Sequence, residues 1–121
     1  MSYMAKVDKM KLQDAEACRE AARQMGLAVE SYYSNSHLAV RGSQLYFSVD
    51  LKTGDVRYET DYDAKKSLEA LDRFHQEYEI AIAIRTAQEA GMSLIERNDL
   101  ADGSVELLWN ENPDAAAAAL S

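Results

Sequence analysis

The fold of this chain is decided by residues 63–109, which read DAKKSLEALDRFHQEYEIAIAIRTAQEAGMSLIERNDLADGSVELLW. The first part of this stretch predicts a long helix, because apolar residues recur at the three- and four-residue steps of one helix face. Those residues are Leu68, Leu71, Phe74, Tyr78, Ala81 and Ile82. A second apolar stripe, formed by Ile80, Ile84 and Ala87, lies beside the first. An apolar surface of this width predicts a helix that lies on a sheet.

The second part of the stretch predicts a β-hairpin directly after the helix. Gly91 is a suitable helix terminator because glycine tolerates the left-handed conformation found at helix C-termini. Two apolar runs follow, at residues 92–95 and 105–109, and the polar segment between them contains Asp102 and Gly103. The Asp-Gly pair is a strong signal for a turn between two strands.

The preceding residues predict a sheet and one shorter helix. Residues 3–10 are interpreted as a first strand, Asp14 as the N-cap of a helix, and Gly26 as the end of that helix. The segments 27–33 and 37–41 and a hairpin turning at Gly54 supply further strands. The predicted order is β-α-β-β-β-α-β-β. This order indicates an α+β fold with a mostly antiparallel sheet and two helices packed on one face.

Composition limits the classes of function. The chain has 121 residues, with 21 acidic against 13 basic side chains and a formal net charge of −8. Direct nucleic-acid binding would need a local basic patch, and the sequence contains no run of basic residues that would form one. Residues 1–112 are predicted to form a single domain, and residues 113–121 are predicted to form a flexible alanine-rich tail. With no signal-peptide or membrane-span pattern, we expect a cytoplasmic protein without a membrane partner.

Three parts of the chain carry a family resemblance. One is the opening strand with Ser2-Tyr3, which leads into a helix ending at residues 24–27, QMGL. Another is the hairpin at Gly54-Asp55, followed by Tyr58-Glu59. The strongest is residues 78–105, where a helix ending in AQEAG precedes a turn at DGSV. With these features the chain resembles a family of short proteins of unknown function from cyanobacteria and algal plastids, which has relatives in bacteriophage genomes.

The resemblance implies a fold rather than a chemistry. The family has no assigned activity, cofactor or catalytic residue that could be carried over to positions of this chain. Between Glu59 and Lys66 this sequence departs from the family pattern, which has tryptophans and a longer loop there. A function that the loop serves in relatives is therefore not implied for this chain.

Two groups of side chains could hold a metal ion. His75 and Glu79 are four residues apart on the predicted long helix, so both could reach one ion, although a site needs at least three protein ligands. Glu59, Asp61 and Asp63 alternate, so in an extended segment their carboxylates would project to one side and could bind Ca²⁺ or Mg²⁺. The alternatives are a surface histidine–carboxylate pair and a solvated acidic edge that discourages aggregation.

Other catalytic signatures are missing from the sequence. The five glycines are scattered singly, so no phosphate-binding loop is predicted. The single cysteine, Cys18, excludes an intramolecular disulfide and a cysteine-rich zinc site, and it is interpreted as a small buried residue of the first helix. His37 is interpreted as a surface residue at the start of a strand. We therefore expect a protein that is not an enzyme and that uses no cofactor.

Tyrosine and apolar side chains predict a protein-binding surface. Tyr32, Tyr46 and Tyr62 fall on faces or loops that the pattern predicts to be exposed, and tyrosine is enriched at protein interfaces. Isoleucines of the second helix stripe would need a partner or a second copy to cover them if the first helix does not. The predicted interaction surface comprises Tyr46, Glu59, Asp61, Tyr62, Asp63, Ile80 and Ile84.

The leading hypothesis is a small acidic binding or adaptor protein that acts through protein–protein contacts, with a protein partner or as a homo-oligomer. A sharper form, prompted by the phage relatives, is a modulator or inhibitor of a host complex whose carboxylates mimic a nucleic-acid backbone. The alternative from another class is a metal-dependent enzyme or small-molecule sensor that uses His75, Glu79 or the carboxylates between Glu59 and Asp63.

Overall fold

The structure, a computed structural model, describes residues 4–7 and 10–111. Two helices and seven strands form an α+β fold. The elements are β1 Met4–Val7, α1 Ala15–Met25, β2 Ala28–Tyr32, β3 His37–Arg41, β4 Tyr46–Asp50, β5 Val56–Glu59, α2 Ala64–Glu89, β6 Met92–Asp99 and β7 Val105–Glu111. The fold class is confirmed. Four strands rather than the three of the predicted order lie between the helices: the segments 27–33 and 37–41 and the two arms of the hairpin at Gly54 each supply one.

Helix α1 begins and ends where the sequence predicts. The Asp14 side chain accepts a hydrogen bond from the backbone N–H of Ala17 at 2.9 Å, which satisfies one donor of the first turn. Gly26 ends the helix with a left-handed φ of 68°. The buried side of the helix is formed by small residues, which allow it to lie close to the sheet. They are Ala17, Cys18, Ala21 and Ala22.

Helix α2 has the predicted boundaries, and Leu71, Phe74 and Tyr78 of the predicted apolar face are buried, but other members of that face are not. The Asp63 carboxylate accepts a hydrogen bond from the N–H of Lys66 at 3.0 Å, and Gly91 follows the helix with a φ of 83°. Leu68 was predicted to be in the core and is 40% exposed, because the adjacent Ser67 occupies the buried side instead. The buried residues are Ser67, Leu71, Phe74, Glu77, Tyr78 and Ile80.

Five strands form one antiparallel sheet in the order β1-β5-β4-β3-β2. Both helices lie on one face of this sheet, as predicted. Phe47 of β4 and Phe74 of α2 meet edge to face with ring centroids 4.9 Å apart, at the centre of the core. The predicted hairpin β6–β7 forms, and its two strands make a separate two-stranded sheet.

The chain divides into two compact units, Met1–Ala81 and Ile82–Ser121. The first contains the five-stranded sheet, and the second contains the end of α2 and the hairpin. The single domain over residues 1–112 stays a prediction, and the predicted tail at 113–121 lies outside the described residues. Among residues 4–7 and 10–111, no helix is both long and apolar enough to cross a membrane.

Candidate functional site

The five-stranded sheet has one face that neither helix covers, and this face is called the open face below. The buried side chains of the central strands, such as Val40 and Phe47, point to the helix side. The residues between them in the alternation point to the open face. They include Lys6, Glu30, Tyr32, His37, Ala39, Arg41, Tyr46, Ser48, Asp50, Arg57 and Glu59.

The strand register places two cations side by side on the open face. Arg57 of β5 is opposite Lys6 of β1 on one side and opposite Ser48 of β4 on the other. Ala39 and Glu30 continue this row across β3 and β2. The row therefore runs from two basic side chains through two small residues to a carboxylate.

Arg57 differs from Lys6 in having no ion-pair partner among the described residues. Lys6 lies 3.6 Å from the Asp55 carboxylate, and Lys11 donates a hydrogen bond to the same carboxylate. The hydrogen bond from Lys11 lowers the pKa of Asp55 below its ordinary value. The exposed Arg57 guanidinium makes no hydrogen bond or ion pair with another described residue. Its planar group of donors is thus available for a carboxylate or phosphate from outside the chain.

Tyrosine and arginine lie together on the β2–β4 part of the open face. The Arg41 guanidinium carbon lies 5.4 Å from the centroid of the Tyr46 ring, which is within the range of a cation–π interaction. The same guanidinium is 3.6 Å from the Glu30 carboxylate of the neighbouring strand. These contacts hold Tyr46 and Arg41 in fixed relative positions at the surface.

A third group lies where β2, β3 and β4 meet. The rings of Tyr32 and His37, which are register partners, have centroids 5.2 Å apart. His37 Nε2 is 3.6 Å from the Asp50 carboxylate, and Nδ1 is hydrogen bonded to the Ser36 hydroxyl at 2.8 Å. The hydrogen bond at Nδ1 and the carboxylate beside Nε2 therefore orient the imidazole on the open face.

Three depressions on the open face are shallow and charged. Their volumes are about 250, 270 and 380 Å³, and their walls include Arg41, Arg57 and Asp50. Pockets for small molecules usually have volumes of roughly 300–1,000 Å³ and are mainly apolar. Two of the depressions are smaller than this range, the third is at its lower end, and charged residues line all three. The open face is therefore better suited to a broad contact than to enclosing a small ligand.

The structure separates the predicted interaction residues into three places. Tyr46 and Glu59 lie on the open face of neighbouring strands, because Phe47 and Tyr58, the residues next to them, are register partners. Asp61, Tyr62 and Asp63 lie in the connection between β5 and α2. In this connection both aspartates are exposed and Tyr62 is half-buried.

Ile80 and Ile84 were predicted to be spare apolar surface on the long helix. Ile80 is 9% exposed and belongs to the core, so this prediction is wrong for Ile80. Ile84 is half-buried. Tyr32 and Tyr46 are also half-buried rather than fully exposed, because each ring packs on a neighbouring side chain.

The three alternating carboxylates do not share an extended segment. Strand β5 ends at Glu59, and the chain turns before Asp63. The Asp61 N–H donates to the Glu59 carboxylate at 3.4 Å, whereas Asp63 caps helix α2. Because the strand ends at Glu59 and the carboxylates of Glu59 and Asp63 accept hydrogen bonds from different backbone segments, the predicted row on one side is wrong.

His75 and Glu79 form the predicted side-chain pair on α2. His75 Nε2 lies 3.1 Å from the Glu79 carboxylate; the Glu79 side chain is exposed, whereas His75 is half-buried. No third ligand joins them, since the described residues contain no group of three or more His, Cys, Asp or Glu placed to hold a metal ion. Cys18 is fully buried, and burial raises the pKa of its thiol to about 12. A thiol in that state is a poor nucleophile.

Arg41, Arg57 and His37 lie on the open face and were not among the residues predicted from the sequence to form an interaction surface. The alternation of β5 already placed Arg57 on the outward side of its strand, but nothing local indicated which strands lie beside it. Comparison with models of protein families, with curated proteins and with solved structures finds no match for this chain. The family resemblance therefore stays a prediction.

Proposed function

We propose that this chain is a non-enzymatic binding protein that docks a partner protein on the open face of its five-stranded sheet. The observation that carries the proposal is the exposed Arg57, which has no ion-pair or hydrogen-bond partner among the described residues, on a face that also presents Tyr46 and Arg41. Tyrosine and arginine are among the residues that contribute most to binding energy at protein interfaces.

The partner is expected to present a carboxylate opposite Arg57 and a flat surface over Tyr46 and Tyr32. A carboxylate from the partner would accept two parallel hydrogen bonds from the guanidinium. The tyrosine rings are already held by Arg41 and His37, so little side-chain freedom would be lost on binding. The mixture of cations and carboxylates on this face does not favour a mimic of a nucleic-acid backbone.

The experiment compares tagged variants as baits in a lysate of the source cells. Arg57→Glu should lose most of a captured protein that wild type retains in stoichiometric amount, because it places a carboxylate against the partner's carboxylate. Tyr46→Ala should reduce capture at least about tenfold, which is a typical loss for an interface tyrosine near the centre. Captured proteins are identified and quantified by mass spectrometry.

Arg73→Glu is the matched control. Arg73 is an exposed arginine of α2, on the side of the sheet that carries the helices, and the substitution changes the net charge by the same amount. Equal losses with Arg57→Glu and Arg73→Glu would indicate a general charge effect and contradict the proposal. Retention of the partner by both Arg57→Glu and Tyr46→Ala would also contradict it.

A further inference from the structure

The hairpin unit has apolar side chains but no buried ones. No side chain between Ile82 and Glu111 is buried in the described part of the chain, although the segment contains many apolar residues. Ile95 is 63% exposed, Leu100 is 46% exposed and Leu108 is 41% exposed. A two-stranded sheet is marginal in water unless further strands or other packing cover it.

The two edges of the hairpin differ. Strand β6 contains a bulge between Leu94 and Glu96, and its second half is charged. Bulges and charges are the features by which edge strands avoid pairing. Strand β7 pairs only with β6 in the described residues and reads VELLWNE, with no irregularity of its own. The outer edge of β7 is therefore the edge of the hairpin that is suited to pairing with another strand.

We infer that β7 pairs antiparallel with β7 of a second copy of this chain, which makes a four-stranded sheet across a twofold axis at Leu108. This arrangement is self-complementary. Leu108 would be opposite its own copy, Leu107 would be opposite Trp109, and Glu106 would be opposite Asn110. No two like charges oppose each other directly, which is the condition for a stable cross-strand pair.

The same pairing brings together two of the three exposed apolar residues of the hairpin, Ile95 and Leu108. Leu108 pairs with Glu96 within the hairpin, and Ile95 lies in the bulge beside Glu96. Two copies joined at Leu108 would therefore bring two leucines and two isoleucines together on one face of the new sheet. Seven paired residues in each copy make a small interface, so we expect weak association, with the dimer populated only at higher protein concentration. The dimer uses none of the open-face residues.

Light scattering across a concentration series tests this inference with the purified chain. Wild type should shift from monomer to dimer as concentration rises. Leu108→Lys should weaken the association at least about tenfold, because it removes the leucine pair and opposes two positive charges. Leu100→Lys is the matched control, because Leu100 is similarly exposed but lies outside β7. This variant should associate like wild type.

Cysteine cross-linking provides a second readout that does not depend on the weakening of binding. In a Cys18→Ala background, Leu108→Cys should form a disulfide-linked dimer on mild oxidation, because opposed residues of paired strands lie within reach of a disulfide. Leu100→Cys should not. Monomers at every concentration, a dimer that Leu108→Lys leaves unchanged, or equal cross-linking at positions 100 and 108 would each overturn the inference.

Discussion

Cys18 connects the packing of α1 to the alkaline stability of the protein. Its side chain is fully buried, and burial raises the pKa of the thiol from an ordinary value of 9.0 to about 12. Between these two values the folded chain keeps the proton that the unfolded chain loses. Stability contributed by the thiol is therefore complete below pH 9 and is lost as the pH rises towards 12.

We predict that Cys18→Ala reduces the alkaline loss of stability. In wild type, loss of the thiol proton from the unfolded chain lowers the free energy of unfolding by up to ~1.4 kcal/mol for each pH unit in this range. The variant lacks that contribution but keeps those of Tyr78 and the other groups, so its stability should decline less steeply. Urea unfolding at a series of pH values measures the two slopes. Identical slopes would show that Cys18 is not protonated and buried as described.

Asp14 stabilises the start of α1 through its side chain, and its backbone N–H donates to the Tyr78 hydroxyl at 3.2 Å. Asp14→Ala should reduce the free energy of unfolding by about 1 kcal/mol, as is usual for loss of an N-cap. Asp14→Asn should retain most of the stability, since its amide oxygen can accept the same hydrogen bond from Ala17. Chemical unfolding of the three proteins provides the measurement. A loss of equal size in Asp14→Asn would contradict the capping role.

At the scale of elements, the turn between β4 and β5 is held against the segment before α1. Gly54 has a φ of 80°, and its carbonyl accepts a hydrogen bond from the N–H of Leu12 at 2.8 Å. A Cβ added at this position would lie 3.0 Å from the Leu12 nitrogen and 2.9 Å from Gln13 Cγ. The turn therefore requires glycine for two reasons, its conformation and its lack of a side chain.

Gly54→Ala should destabilise the protein more than Gly26→Ala. Both positions have positive φ, which costs an L-residue roughly 1–2 kcal/mol, but a Cβ at Gly26 has nothing within 4 Å. Gly54→Ala adds a clash with backbone and should lose at least ~1 kcal/mol beyond the control. Thermal unfolding of both variants gives the comparison. Equal losses of stability in the two variants would contradict the prediction, because the segment at Leu12 would then move away from the added Cβ at no cost in free energy.

Most individual elements could be predicted from local signals. Asp14, Gly26, Gly54 and Gly91 mark turns and helix ends by their own conformational preferences, and the structure confirms each. The buried side of α2 could be predicted only in part, because apolar residues lie on two sides of that helix: Leu71 and Phe74 are buried as predicted. Leu68 and Ser67 are neighbours, and only packing against the sheet decides which one is buried.

The candidate site depends on non-local pairing, which a single sequence does not indicate. Lys6 and Arg57 are 51 residues apart (57 minus 6) and become neighbours because β1 pairs with β5. Tyr46 was predicted to be exposed, and Glu59 belonged to the three alternating carboxylates. The sheet order brings these two residues to the same face. Asp61, Tyr62 and Asp63 have the same composition, but they leave the sheet at the end of β5.

For the whole molecule, we predict unequal stability of the two units. All described buried side chains lie at or before Ile80, so the hairpin has little apolar burial to oppose local opening. Amides of β6 and β7 should exchange hydrogen well before those of β3 and β4. Hydrogen–deuterium exchange of the Leu108→Lys variant, followed by mass spectrometry, measures the exchange rates of both units. This variant is used because self-association of the hairpin would protect its amides. Equal protection of the hairpin and the central strands would contradict the prediction.

The central claim is that the open face, and Arg57 in particular, contacts the partner. The most direct measurement is the dissociation constant of the captured partner for wild type, Arg57→Glu and Arg73→Glu, obtained by calorimetry. We predict that Arg57→Glu weakens binding at least about a hundredfold, since loss of a paired charge at an interface and like-charge opposition together exceed about 2.7 kcal/mol. Arg73→Glu should bind as wild type does. An unchanged constant for Arg57→Glu would contradict the account.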